Sequence, residues 1–240
     1  MSDKSDANPT TAPAPVPVRG VIFDCDGTLM DTMGLWLDLE DGLAREAGHV
    51  LTKDEEDMLR AFTLEETGRW FHEELGFLDS AQAVCDEIER RAVGYYATRA
   101  ELRPGAREFL EALRAAGVGC AICSSSPHSM LDAGVEHTGI ADLLVAVVST
   151  DDVGRSKREP AAYDRARELI GSPLDATWVF EDAAYTFATT VPAGYRTVGI
   201  YDRDESGTFE ELSELADVAI RGYDDLDVER FLRGGYARQR

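Results

Sequence analysis

Positive charge is what this sequence has least of. Lys and Arg number 24 against 46 Asp and Glu, which leaves a formal net charge of −22 and a sequence pI of about 4.4. Only three of the cations are lysines: Lys4, Lys53 and Lys157. So acidic a surface repels nucleic-acid phosphates and anionic headgroups, which argues against nucleic acid and membrane as partners. Long apolar runs are also missing. No segment reaches the ~20 residues that span a bilayer. Residues 1–17, rich in Pro, Ser, Thr and Asp, hold no apolar core of a signal peptide. A cytoplasmic protein is expected, with residues 1–17 as a disordered tail. Cysteine is sparse. Cys120 and Cys123 form a C-x-x-C, but odd spacing on one strand sends their side chains to opposite faces, against a shared metal or disulfide. The four histidines, His49, His72, His128 and His137, show no metal-ligand spacing.

What is present suits a packed globular chain. Hydrophobic residues make up 44% and charged residues 29% of 240, enough for one core domain and a sizeable insertion. The run Val21-Ile22-Phe23 reads as a buried parallel strand ending at Asp24. From 33 to 100 the pattern turns helical: Leu35, Leu39, Leu43 and Ala47 recur at helical spacing among acidic residues. Three to four helices are expected there. Strands then alternate with helices. Arg103-Pro104-Gly105 opens a helix that Gly117 ends, and Val118 to Cys123 is a strand. Leu143 to Val148 is another apolar run, and Thr177 to Phe180, Arg196 to Tyr201 and Asp217 to Ile220 read as further strands, with a helix over 159–170. Such alternation implies βαβ units, so the fold class is α/β: a Rossmann-like, mostly parallel sheet with helices on both faces and an inserted α-helical cap. The expected division is tail 1–17, core 18–32 and 101–240, and cap 33–100.

In open parallel sheets, ligands gather outside the carboxyl ends of the strands. Four such ends carry polar groups here: Asp24 and Asp26, Ser124, the loop with Lys157, and Glu181-Asp182. Two carboxylates two residues apart share one face of an extended chain. Their mutual repulsion is relieved by a hard divalent cation. One can attack an electrophile while the other moves a proton. Gly27 permits a tight turn, and Thr28 offers a hydroxyl and an N–H to an anion. In so acidic a chain, any phosphate site needs a metal and a well-placed Lys or Arg.

Phe23-Asp24-Cys25-Asp26-Gly27-Thr28-Leu29-Met30-Asp31-Thr32 resembles the D-x-D-G-T signature of the haloacid dehalogenase superfamily of phosphatases. The resemblance implies Asp24 as covalent nucleophile and Asp26 as general acid/base and metal ligand. It implies Mg2+ as cofactor and a helical cap just after the motif. Ser124 matches the second motif, a phosphate-binding hydroxyl, with the amide of Ser125 assisting and Ser126 as the helix cap. Lys157 matches the third motif, in Lys157-Arg158-Glu159-Pro160-Ala161-Ala162-Tyr163. Lysine, second proline and tyrosine keep their spacing, while Arg158 and Ala161 depart from it. Glu181-Asp182 matches the fourth motif, with Asp182 as direct metal ligand and Glu181 as ligand through water or orienter of Lys157. The bulky Tyr185 and Phe187 depart from the small residues usual after it.

The function these matches imply is Mg-dependent hydrolysis of a small phosphorylated metabolite, a sugar phosphate or similar, through an aspartyl-phosphate. A β-phosphoglucomutase-like mutase is the alternative. Those members place a His in the first cap helix where Trp36 stands here. Dehalogenases and phosphonoacetaldehyde hydrolases lack the equivalent of Asp26. A non-catalytic phosphate-binding protein on the same scaffold is the reading from another class. Trp36, Arg60, Thr63 and His128 are candidates for substrate contact, although Trp36, Trp70 and Phe71 also suit a cap core. Monomer and dimer are both compatible with the sequence.

Overall fold

The computed structural model describes residues 15–59, 62, 64–203 and 206–236. Strand β1 (Gly20–Phe23) is followed by four helices, α1 (Met33–Glu46), α2 (Lys53–Leu59), α3 (Leu64–Glu73) and α4 (Ala81–Tyr96). Then come α5 (Ala106–Ala115), β2 (Gly119–Ser124), α6 (His128–Thr138), β3 (Ala146–Ser149), α7 (Ala161–Ile170) and β4 (Thr177–Glu181). The chain continues through α8 (Phe187–Thr190), β5 (Arg196–Ile200), α9 (Phe209–Leu215), β6 (Val218–Ile220) and α10 (Val228–Leu232).

The six strands form one parallel sheet in the order β3-β2-β1-β4-β5-β6. Apolar runs make this possible, because each central strand is covered on both faces. Strand alternation divides β1 between two cores. Val21 and Phe23 pack with Phe109, Phe180 and Phe231, and Ile22 packs with Val179 and Tyr163 on the other face. Phe23 and Phe180, side by side in register, have ring centroids 4.9 Å apart. Cys120 and Cys123 fall on opposite faces as their spacing requires, and all four cysteines are free and buried.

Helices α1–α4 are inserted between β1 and α5 through two adjacent strands of chain. Met30 pairs antiparallel with Leu102. Asp31 N–H donates to the Glu101 carbonyl at 3.0 Å, and Arg103 N–H donates to that of Leu29 at 2.9 Å. The insertion therefore leaves and re-enters beside the Asp24 loop. Its own core holds Leu39, Leu43, Phe71, Val84 and Ile88. Phe71 is buried in this core, and the half-buried Trp70 packs edge-on to it at 5.1 Å. Among the described residues no helix is long and apolar enough to cross a membrane.

Candidate active site

The topology reverses at β1, with β2 on one side and β4 on the other, and this switch point opens a crevice at the carboxyl ends of the strands. Asp24, one residue beyond β1, is 6% exposed. Its N–H still donates to the Phe180 carbonyl at 2.9 Å, which fixes the backbone against β4. Ser124 ends β2 and Glu181 ends β4, so both lie beside it.

Lys157 arrives from the loop between β3 and α7. Its Nζ donates to Asp24 Oδ1 and, at 2.8 Å, to Glu181 Oε1. The Tyr163 hydroxyl donates to the same Glu181 oxygen at 2.6 Å. Glu181 thus orients Lys157 and is itself oriented by α7. Asp24, Glu181 and Asp182 each offer a carboxylate oxygen within 4.8 Å of the others, and all three are buried. Asp26 belongs to a second network. Its Oδ1 accepts from the Thr32 and Tyr96 hydroxyls, and its Oδ2 accepts from Ser126 Oγ at 2.8 Å.

The loop after Asp24 is pinned from two sides. Gly27 has φ +75°, and a Cβ there would stand 2.7 Å from Asp182 Oδ2. Its carbonyl accepts from Arg103, which also pairs with Asp202 at 3.1 Å and donates to the Tyr201 carbonyl at 2.8 Å. Asp182 is hydrogen-bonded by Ser206. Thr28 is fully buried, and its Oγ1 has no hydrogen-bond partner among the described residues.

Two carboxylates, Asp24 and Glu181, hold the one ammonium, and Asp182 and Asp26 add their charge beside Asp24. Burial, reinforced by Glu181, Asp182 and Asp26, pushes the Asp24 carboxyl well up despite Lys157. Asp182 is pushed up to about 7 by burial and then by the charge of Glu181. Burial alone would lower Lys157, but Asp24 and Glu181 outweigh it and hold the ammonium protonated. The surplus negative charge asks for a proton or a cation. An all-oxygen, carboxylate-rich, buried donor set is the chemistry that suits Mg2+, and the orphan Thr28 hydroxyl is a further oxygen of the same loop.

A cleft of about 820 Å³ lies between the inserted helices and this sheet edge. Asp24, Asp26, Ser124, Ser125, Lys157 and Asp182 line it from below. Trp36, half-buried on α1, lines it from above. Arg60 and Thr63 lie outside the described residues. His128 does not line the cleft: its Nε2 lies 2.9 Å from Asp152 Oδ2, because the first turn of α6 turns that side chain towards the end of β3. Ser126 is not the cap of α6, a correction to the sequence reading. Pro127 takes the N-cap position without a side-chain bond, and the Ser126 hydroxyl is drawn to Asp26. Its N–H donates to Ser124 Oγ at 3.0 Å, which leaves the Ser124 proton free to donate.

Tyr96, Ser126 and Arg103 were missed as site residues. Tyr96 carries no local signal, since its partner is 70 residues away. Tyr163 was visible only as the spaced tyrosine of the third motif. Arg158 and Tyr185, two of the departures from the family pattern, meet each other. The guanidinium lies 4.9 Å from the ring centroid, and both side chains line the cleft.

A doubly wound sheet with a carboxylate-and-lysine centre at its switch point defines an α/β enzyme that works on an oxyanion. The chain belongs to the haloacid dehalogenase-like hydrolases, whose sequence model matches residues 18–186. It is 28% identical over 218 residues to the phosphoglycolate phosphatase of Rhodospirillum rubrum, covering 85% of this chain and 89% of that one. It is 26% identical over 221 residues to hexitol phosphatase B of Escherichia coli, covering 91% and 98%. Among solved structures, a haloacid dehalogenase hydrolase of family IA, variant 3, from Entamoeba histolytica superposes with a TM-score of 0.75. That match has 21% identity and covers 90% of this chain and 99% of that one. At such identity the last likeness speaks for the fold alone.

Proposed function

We propose that the protein is a Mg2+-dependent phosphatase that hydrolyses a small phosphorylated metabolite, a sugar phosphate or similar, through an aspartyl-phosphate on Asp24. The observation that carries this reading is the convergence on Asp24 of Lys157, Ser124 and the Glu181-Asp182 pair. Relatives named as phosphatases of phosphoglycolate and of hexitol phosphates support the substrate class in outline.

In the first step an Asp24 oxygen bonds to phosphorus as the ester P–O bond breaks, and Asp26 gives its proton to the leaving alkoxide. In the second step Asp26 takes a proton from water, whose oxygen bonds to phosphorus while the aspartyl P–O bond breaks. Phosphate leaves and Asp24 is restored. Lys157 offsets the charge of both the nucleophile and the phosphoryl oxygens, and the Ser124 hydroxyl donates to one of those oxygens. Asp24, Asp182 and the Asp26 backbone carbonyl are the groups that would hold Mg2+, with Glu181 through water. When bound, the cation supplies screening between carboxylate and phosphate and polarises the phosphoryl group. Residues 33–100 serve as the cap that closes over the leaving group, excluding water from the first step.

Hydrolysis is preferred to a mutase reaction because Trp36, whose indole N–H is a donor only, faces the cleft where the mutases have a His. The test is phosphate release with Mg2+ over a panel of phosphate monoesters, with Asp24→Asn as control. Beryllofluoride labelling of Asp24 supports the covalent route. Absence of release from every ester, aryl phosphates included, turns the reading towards a non-catalytic phosphate binder.

A further inference from the structure

The cleft over Asp24 changes character from floor to mouth. Its floor is closed, since Asp24, Ser124, Lys157 and Asp182 are each at most 6% exposed. At its mouth stand Arg158, which is exposed, and Tyr185, which is 43% exposed. These two side chains come from separate loops and meet there, guanidinium against ring. Both are fixed from behind. Arg158 follows Lys157, whose ammonium is held by Asp24 and Glu181. Tyr185 lies in the short turn Ala184–Thr186, next to the buried Thr186 and Phe187. Its hydroxyl end lies beside Ser125 and feels the charges of Lys157, Glu181 and Asp24.

An aromatic ring holds a cation in place without neutralising it, whereas a carboxylate partner cancels its charge. Arg203, the other described arginine of the cleft, is of the second kind, with Nε 3.0 Å from Asp202. So are Arg155, Arg165 and Arg167 on either side of Arg158, each within 4.0 Å of a carboxylate. Arg158 is of the first kind. It presents a positive charge at a set position in a chain whose net charge is −22.

That position is not the place of the transferred phosphorus. With phosphorus on Asp24, Lys157 and Ser124 serve its oxygens at the floor, and the alcohol part extends towards the mouth. A neutral alcohol part leaves the guanidinium to water. An anionic one would enter against the field of a strongly acidic chain unless a local cation receives it. The planar guanidinium offers paired N–H donors that match the oxygens of a carboxylate or a phosphate.

We infer that Arg158, positioned by Tyr185, is an anion-binding subsite, and that the substrate carries a second anionic group, a carboxylate or a phosphate, on the alcohol side of the ester. This rests on the phosphatase reading above and narrows it to esters whose alcohol part is itself charged.

The test compares esters matched in length but not in charge, with Mg2+ and at constant ionic strength. One arm sets the phosphate ester of γ-hydroxybutyrate against that of its amide. The other sets butanediol bisphosphate against butanediol monophosphate. In at least one arm kcat/KM should favour the anionic ester, and Arg158→Gln should cut that preference at least about tenfold. Tyr185→Leu, which keeps the charge but removes the ring, should cut it at least severalfold. The arm that responds identifies the anion. A preference for the neutral ester in both arms overturns the inference. Equal losses on both members of each pair also overturn it, since Arg158 would then serve the transferred phosphoryl group or the fold. So does a preference that either variant leaves unchanged. Each of these results leaves the phosphatase reading standing. No phosphate release from any ester, p-nitrophenyl phosphate included, overturns both.

Discussion

The hydroxyl of Tyr96 donates to the carboxylate of Asp26, across 70 residues of sequence. Tyr96 is the last residue of α4 and fully buried, so the end of the inserted helices is tied to the proposed acid/base group. Thr32, just before α1, donates to the same oxygen. Both ends of the insertion thus hold one carboxylate, and a change in the insertion's position would reach Asp26 directly.

Tyr96→Phe should therefore lower kcat by about tenfold with little change in KM, since it loosens a group whose proton transfers are worth about 10²–10⁴. Asp26→Asn should cost that whole range. Steady-state kinetics on one ester checks both, and an unchanged kcat in Tyr96→Phe would show that the bond is structural only. The lost hydrogen bond should also appear as about 0.5–1.5 kcal/mol in denaturant unfolding.

Lys157, 3% exposed, sits between two carboxylates. Removing it leaves Asp24 and Glu181 buried without their counter-charge. Lys157→Met should destabilise the metal-free protein by about 3–5 kcal/mol at neutral pH. The double change Lys157→Met with Glu181→Gln should recover part of that loss without recovering activity. Lys157→Arg should also be inactive, because a planar fork cannot replace a point charge in an enclosed site. A stable Lys157→Met protein would contradict the charge-crowding argument.

The fold was legible because its signals are local. Short apolar runs ended by Asp24, Ser124 and Glu181 mark strands, and their alternation with helices forces a parallel sheet whose carboxyl ends face one way. For the same reason the meeting of those residues at one edge was readable. The second network around Asp26 was not. Tyr96 looks like one more aromatic on a helix, and Ser126 looks like a cap because it precedes a helix. Only the packing of α4 against α6 brings the former near, and only the Ser124 turn aims the latter inward. Arg103 hides in the same way, with partners at Gly27, Tyr201 and Asp202 contributed by separate loops.

On the proposed reading Mg2+ should raise the melting temperature, because the clustered carboxylates of the folded chain would hold it far better than the unfolded chain would. The gain is about 2.7 kcal/mol at one hundred times Kd. Burial, and then the charge of Glu181, push Asp182 up to about 7, so below that pH a proton would compete with a cation and above it would not. The Mg2+-induced shift should grow as pH rises through about 7 and be largely lost in Asp182→Asn. Without metal the same shift opposes folding. Between the ordinary carboxyl value of 3.8 and about 7, the folded chain keeps a proton that the unfolded chain has released. The contribution of Asp182 to stability therefore falls across that window and is level above it. A Mg2+ response equal on both sides of pH 7 would count against Asp182 as ligand.

His128 gives a pH dependence of the opposite origin. Its hydrogen bond to Asp152 raises it above its usual 6.5, and the same bond lowers Asp152. A histidine raised by folding adds stability that is full below 6.5 and fades as pH climbs through the folded value. The side chain is 40% exposed, so the pair is worth about 0.2–1 kcal/mol at most. His128→Gln should lower the melting temperature by a few degrees near pH 6 and by nothing near pH 9. A deficit that persists at high pH would mean that helix packing, and not charge, is what the substitution disturbs.

Gly27 and Gly48 form a matched pair for testing how the Asp24 loop meets the acidic pair. Both have left-handed backbones, with φ +75° and φ +79°. Alanine at either pays the backbone cost of that region, about 1–2 kcal/mol. At Gly48 a Cβ meets nothing within 4 Å, whereas at Gly27 it would stand 2.7 Å from Asp182 Oδ2. Gly48→Ala should thus be mildly destabilised but keep its Mg2+-induced thermal shift. Gly27→Ala should be destabilised further and lose most of that shift, since Asp182 must move to admit the methyl group. Equal Mg2+ responses in the two variants would mean that Asp182 can retreat from Gly27 without leaving the cation, and that the contact sets the shape of the loop but not its metal affinity.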